Sequence, residues 1–186
     1  MMRAVTIAVP ATGTRMGLPD WELLSYDHSD RVELIEGVVV VTSSRSELQQ
    51  AVVTQLVVAL HQACPDDYRV RAGPLGVLVR DLSSGLLPDL VVLRADDRST
   101  LDRLPALVVE VLSPSTRGRD EVDKRRLYGR RGIPSYWLVD PEVPSMRILE
   151  LGAHHEYVEV AHVVGTEPVQ LIHPFPVRLV PADLIR

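Results

Sequence analysis

Residues 104–116 read LPALVVEVLSPST. Leu107-Val108-Val109 and Val111-Leu112 form an apolar run of the length and composition of a buried strand. A carboxylate, Glu110, stands in the middle of it. Burying an ionised Glu without a partner costs several kcal/mol or more. Glu110 is therefore exposed, protonated, ion-paired or bound to a metal, and the rest of the chain has to supply the answer.

Working outward, LVVLRAD (90–96) reads as a second strand, entered through Pro88-Asp89. Downstream, STRGRDEVDKRRLYGRRGI (115–133) opens with turn and capping residues, then reads as a helix closed by Gly132 and Pro134. SYWLVDPE is a strand, and the C-terminal third reads as short antiparallel strands. Upstream, YRVRAG and LGVLVRD are short strands, SSGLLPD a loop and DDRSTLDRLP a polar connection. SRSELQQAVVTQLVVALHQAC is a long helix. Ser44-x-x-Glu47 forms its expected capping box, and Leu48, Val52, Leu56, Ala59 and Leu60 recur near helical spacing. Pro65-Asp66-Asp67 ends it. RVELIEGVVVVTS is a strand turning through Gly37 into another, and LPDWELLSY a short helix with Asp20 near its start. Residues 1–18 read as a loose arm and 19–186 as one domain. The pattern is α/β: a mixed central sheet flanked by helices, with additional short antiparallel strands.

The chain has 186 residues, enough for a full core, and a net charge of −5, which argues against a generic basic nucleic-acid coat. Its single cysteine, Cys64, excludes an intramolecular disulfide and a Cys-rich zinc site and fits a reducing, cytoplasmic setting. The N-terminal apolar stretch is too short and interrupted for a signal segment, and no apolar segment reaches the roughly 18 residues of a membrane span. Lys124 is the only lysine among 20 basic side chains. Codon bias explains the arginine excess but not the position of the one survivor. A lysine is a compact charge and differs chemically from arginine.

Asp89, Glu110 and Lys124 fall on consecutive elements, and Glu33 and Glu36 lie on an earlier strand, on opposite sides by period-two alternation. Two carboxylates on adjacent strands hold a hard divalent cation through oxygen, and such a cation activates water at a phosphate. A nearby lysine orients or deprotonates that water, or neutralises the charge that develops. The competing account has Asp89 capping a turn and Glu110 paired with Lys124 or an arginine for structure alone.

Pro88-Asp89, Glu110 in VVEVLSPST, RDEVDKRRLY, GIPSYWLVDP and ELIEG together resemble the Uma-type restriction endonuclease family of the PD-(D/E)XK nuclease superfamily, over roughly residues 20–155. The resemblance implies a restriction-endonuclease-like core and hydrolysis of DNA dependent on Mg²⁺ or Mn²⁺. It implies Asp89 and Glu110 as metal ligands, Lys124 as the lysine of the motif moved to the following helix, and Glu33 as the early acid. The usual lysine position, two after the acid, holds Leu112. Relatives often carry a His near the start of the first long helix, where this chain reads Ser46-Glu47-Leu48-Gln49. A member of the same fold without catalysis, binding nucleic acid or a protein, is the alternative. Cutting both strands of a duplex needs two sites, so a homodimer is expected.

Arg117, Arg119 and Arg125 are candidate phosphate contacts if they share a face with Lys124; paired with nearby acids they would be a solvated surface. Tyr136 and Trp137 read as core, and Tyr128 as packing the helix onto the sheet. His154, His155 and His162 lack carboxylates at ligand-like spacing.

Overall fold

The computed structural model describes residues 9–24, 31–96 and 102–186. Its main sheet has six strands in the order β10-β9-β8-β7-β6-β3. These are β3 (Tyr68–Ala72), β6 (Leu90–Arg94), β7 (Leu107–Val111), β8 (Ser135–Asp140), β9 (Ser145–Leu151) and β10 (Tyr157–Val164). β7 and β8 run parallel and the other neighbours antiparallel, so the sheet is mixed. A parallel pair needs a crossover. Here it is a π-helical turn, Arg119–Lys124, running directly into α3 (Arg125–Arg131), which ends at Gly132.

Alternation along β7 divides its side chains between two cores. Leu107, Val109 and Val111 join Val52, Leu56 and Leu60 of α2 (Glu47–Ala63). Val108 and Leu112 face the crossover with Leu127, Tyr128 and Tyr136. Each such aliphatic side chain, fully buried, contributes about 1.5–3 kcal/mol. By parity Glu110 is committed to the crossover face, under the helix that carries Lys124. Tyr136 and Trp137 are core residues with no exposed surface.

The second sheet, ordered β2-β1-β5-β4, contains β1 (Arg31–Ile35), β2 (Val38–Thr42), β4 (Val77–Val79) and β5 (Ser84–Leu86). Trp21 of α1 (Leu18–Leu24) packs on it with Leu34, Val39 and Leu78. On β1, Val32 and Leu34 fill this core, so Arg31 and Glu33 project to the other side. A short β11–β12 hairpin (Val169–Leu171 with Val177–Leu179) covers α2. Among the described residues no helix is long and apolar enough to cross a membrane.

Three local expectations change. The SSGLLPD loop contains β5, because its backbone pairs with both β1 and β4. The arm is not loose over residues 9–18: Gly13 and Met16 donate to the carbonyls of Val39 and Gly37, and Val39 donates back to Thr14. The outer edge of β2 needs such partners. Residues 1–8 lie outside the described residues, as do 25–30 and residues 97–101 of the polar connection. The capping box begins at Ser46, not Ser44, because the reciprocal partner is Gln49: its N–H donates to Ser46 Oγ at 3.2 Å and its Oε1 accepts the Ser46 N–H at 3.0 Å.

Gly85 is required by contact: a Cβ there would lie 2.4 Å from the Trp21 ring, whereas one at Gly118 would meet nothing within 4 Å. Gly85→Ala should destabilise the chain by about 3 kcal/mol through overpacking. Gly118→Ala, at a helical φ of −60°, should be neutral or stabilising by up to about 1 kcal/mol. Urea unfolding of the two variants checks both.

Candidate active site

Glu110 resolves as buried and paired. Lys124 Nζ lies 3.0 Å from Glu110 Oε1, 3.0 Å from Glu33 Oε1 and 3.1 Å from Asp120 Oδ1. All four side chains are buried. Tyr128 Oη donates to Glu110 Oε1 at 2.8 Å, and the Leu87 N–H donates to Glu33 Oε1 at 2.8 Å. The π-helical turn sets Asp120 and Lys124, four residues apart, on the same inward side. Such turns are rare and recur at functional sites.

Asp89 closes the other side. Its Oδ2 accepts the Val111 N–H at 2.7 Å, where the last residue of β7 has no ladder partner on β6. Its Oδ1 accepts from Arg31 Nη1 at 2.5 Å and Arg45 Nε at 2.7 Å. Arg31 also donates to the Leu87 carbonyl. The Gln49 side chain ties the start of α2 to the Val111 carbonyl at 3.0 Å. Gly73, just after β3, makes room here: a Cβ would lie 2.2 Å from the Pro88 carbonyl oxygen and 3.1 Å from Arg45 Nη2.

Glu33, Asp89, Glu110, Asp120, Lys124, Arg31 and Arg45 line one cleft of about 310 Å³. Its lining is hydroxyl-rich, with Ser43, Ser44 and Ser46 from the segment before α2 and Ser113, Ser115 and Thr116 from the segment after β7. On its walls Glu33, Asp89, Glu110, Asp120 and Glu142 outnumber Arg31, Arg45 and Lys124. Burial alone would raise Asp89, but Arg31, Arg45, the Val111 N–H and Lys124 hold its carboxyl below the ordinary range. Burial, reinforced by Asp120, Asp89 and Glu33 and opposed by Lys124, pushes Glu110 up to about 8. Burial also raises Asp120, against Lys124. Burial disfavours the Lys124 ammonium, yet Glu110, Glu33, Asp120 and Asp89 outweigh it and raise Lys124 above its usual range. Lys124 is a cation at neutral pH.

The fold thus brings Glu33, Asp89, Glu110 and Lys124 to one place. It does not bring Arg117, Arg119 and Arg125 to the cleft wall. Arg117 pairs with Asp140 at 2.6 Å beside a different groove, and Arg125 donates to the Tyr157 carbonyl at 2.7 Å. Arg119 Nε is buried without a hydrogen-bond partner. Glu36 lies in the β1–β2 turn, in a surface pair with Arg126 at 3.0 Å. The cleft's arginines, Arg31 and Arg45, were missed, as were Asp120 and the Glu110-bound hydroxyl of Tyr128. Two signals could have found some of them. Arg31 shares the strand face of Glu33, and Asp120 precedes Lys124 by one helical turn. Arg45 carries no periodic signal.

The chain belongs to the Uma2 family, described as "Putative restriction endonuclease", whose model matches residues 19–182. The crystal structure of a putative nuclease belonging to DUF820 from Anabaena variabilis has the same fold. Its TM-score is 0.68 at 17% identity, and the match covers 95% of this chain and 98% of that one. No curated protein matches the chain.

Removing the central ammonium leaves Glu33, Glu110 and Asp120 buried together. Lys124→Met should cost about 3–5 kcal/mol at pH 8, the penalty for breaking a buried ion pair. Burial then holds the Glu110 and Asp120 carboxyls of the variant above their unfolded values. The stability of its fold is therefore retained at low pH and lost as pH rises through them. Urea unfolding at pH 5 and pH 8 should show the smaller deficit at pH 5.

Proposed function

We propose that this chain is a divalent-cation-dependent endonuclease that hydrolyses phosphodiester bonds of DNA. The observation that carries this reading is the meeting of Glu33, Asp89, Glu110 and Lys124, from four separate segments, in one open cleft. Membership of a family described as a putative restriction endonuclease supports it and nominates DNA.

The donor set fits a hard cation. Carboxylate oxygens are the ligands that Mg²⁺ and Mn²⁺ prefer. The walls carry more acids than bases, and Glu110 retains a proton near neutral pH that a cation would displace. Among the described residues no three His, Cys, Asp or Glu side chains are already grouped around a cation position. Glu33, Glu110 and Asp120 are grouped around the Lys124 ammonium instead. Asp89 and Glu110 would hold the metal, and the metal would supply an activated water and charge stabilisation at the scissile phosphate.

The chain's own groups do the rest. As a cation, Lys124 orients the water or neutralises charge developing on the phosphate, and does not serve as the base. Glu33 fixes Lys124 and holds the Leu87 N–H. Arg31, anchored on the Leu87 carbonyl, keeps Asp89 ionised. A homodimer would provide the two clefts that double-strand cleavage requires.

One observation favours a second reading, a nuclease fold retained for binding. Arg31 and Arg45 both sit on Asp89 Oδ1, where they supply positive charge of their own. Cleavage of supercoiled plasmid and single-stranded DNA with Mn²⁺ separates the two. The parent should cleave, and Asp89→Asn and Lys124→Ala should each lose about 100-fold or more. Undiminished cleavage by Asp89→Asn refutes the assignment; an inactive parent favours the binding module.

Cation uptake should also depend on pH. Below about 8 the proton on Glu110 competes with the metal, so affinity rises from pH 6 to pH 9 and binding releases a proton. Calorimetry of Mn²⁺ binding in buffers of different ionisation enthalpy measures that proton. A heat independent of the buffer at pH 6.5 contradicts it.

A further inference from the structure

We propose that Arg45 is a substrate-phosphate contact held in reserve on Asp89, released when a divalent cation takes the Asp89 carboxylate. The inference rests on the nuclease reading and adds to it a coupling between metal and DNA.

The argument begins with the oversupply at one oxygen. Asp89 Oδ1 has Arg31 Nη1 at 2.5 Å, Arg45 Nε at 2.7 Å and Arg45 Nη2 at 2.5 Å, while Oδ2 is committed to the Val111 N–H. A carboxylate oxygen has two lone pairs, and the third donor finds neither: Arg45 Nη2 is buried and makes no hydrogen bond. A buried donor left without an acceptor is disfavoured. The strain of this arrangement therefore falls on Arg45.

The two arginines are not equivalent. Arg31 is the first residue of β1, is held by the strand ladder through Arg31↔Thr42, and has a second partner in the Leu87 carbonyl. Arg45 stands between β2 and α2, in the run Thr42-Ser43-Ser44-Arg45-Ser46, and among the described residues Asp89 is the one side-chain partner of its guanidinium. A dication at Asp89 competes directly with this contact, and Arg45 is the group with least to lose by leaving.

The cleft that Arg45 lines also carries hydroxyls that suit a phosphate. Ser43, Ser44 and Ser46 are exposed beside it, and Ser113, Ser115 and Thr116 line the cleft from the segment after β7. Hydroxyls of Ser and Thr are common phosphate partners, and the guanidinium fork matches phosphate geometry. The run from Thr42 to Ser46 carries no carboxylate, and of the cleft's other acids Glu33, Glu110 and Asp120 are already engaged by Lys124. A DNA phosphodiester in the cleft mouth supplies the missing acceptor. Metal binding frees Arg45 for DNA, and DNA in turn favours the metal-bound state, as linkage requires.

Two binding measurements without turnover test this on the full chain. Mn²⁺ is titrated calorimetrically into the parent, Arg45→Ala and Arg45→Lys without DNA. A labelled DNA oligonucleotide is then titrated by anisotropy in Ca²⁺, with thermal melting to verify that each variant folds. Removing the competitor should tighten Mn²⁺ binding by Arg45→Ala about threefold to tenfold, and weaken its DNA binding by roughly tenfold or more. Arg45→Lys, which keeps the charge, should recover part of the DNA affinity. These opposite signs distinguish the role from a structural one, which would weaken both. Unchanged affinities, or loss of both, overturn the inference while leaving the nuclease reading standing. Failure of the parent and of Arg45→Ala to bind Mn²⁺ overturns the metal site itself, and this inference with it.

Discussion

The ammonium of Lys124, enclosed by Glu33, Glu110 and Asp120, is the interaction on which the arrangement of this protein turns. None of these acids is stable as a lone ion at its depth, and neither is the lysine. Each is tolerable only if the others arrive. That requirement joins β1 of the small sheet, β7 of the large one and the π-helical turn that crosses between β7 and β8. The apolar cores fix the layers, and one of them joins Val77, Val79 and Leu86 of the small sheet to Val91 and Val108 of the large one; the charged cluster ties the same two sheets together at the cleft. A shift of one residue in β7 would send Glu110 into the core beneath α2, where Val109 and Val111 now lie.

Asp89 sits at the edge of the same cluster and serves a second structural purpose. It caps the end of β7 through the Val111 N–H and is gripped by arginines from β1 and from the loop before α2. One carboxylate therefore meets three distinct parts of the chain at the cleft floor. Of the two accounts open at the level of sequence, the ion pair is present in the structure and explains how the buried acids are tolerated; the metal ligand belongs to the proposed function.

The sequence made the layers legible because burial on both faces leaves a continuous apolar run, as in β7, and burial on one face of α2 leaves helical spacing. It made Glu110 legible because a charge within such a run has to be explained. It made Lys124 legible by scarcity alone. β5 and the pinned segment 9–18 were obscured because backbone pairing sets them, and the Ser46 cap because Gln49 takes the place of the expected Glu. A backbone hydrogen bond asks little of residue type, so SSGLLPD looks like a loop even where it completes a sheet. Arg117, Arg119 and Arg125 do not line the cleft, and the partners of Arg117 and Arg125 were hidden for a related reason. Arg117 and Arg125 look free in one dimension, but acids and carbonyls distant in sequence neutralise or anchor them.

What the sequence determined alone is the inventory and its parity: which strand is buried, which of its faces carries the acid, and that one lysine is set apart. Local periodicity encodes these because alternation and helical repeat are properties of neighbouring residues. Only the tertiary structure decided which charges share the cleft. Asp120 and Tyr128 come from the crossover, Arg31 from a strand about 60 residues before Asp89 and Arg45 from a loop. Electrostatic interaction depends on distance in space, which chain separation does not fix until the sheets are packed.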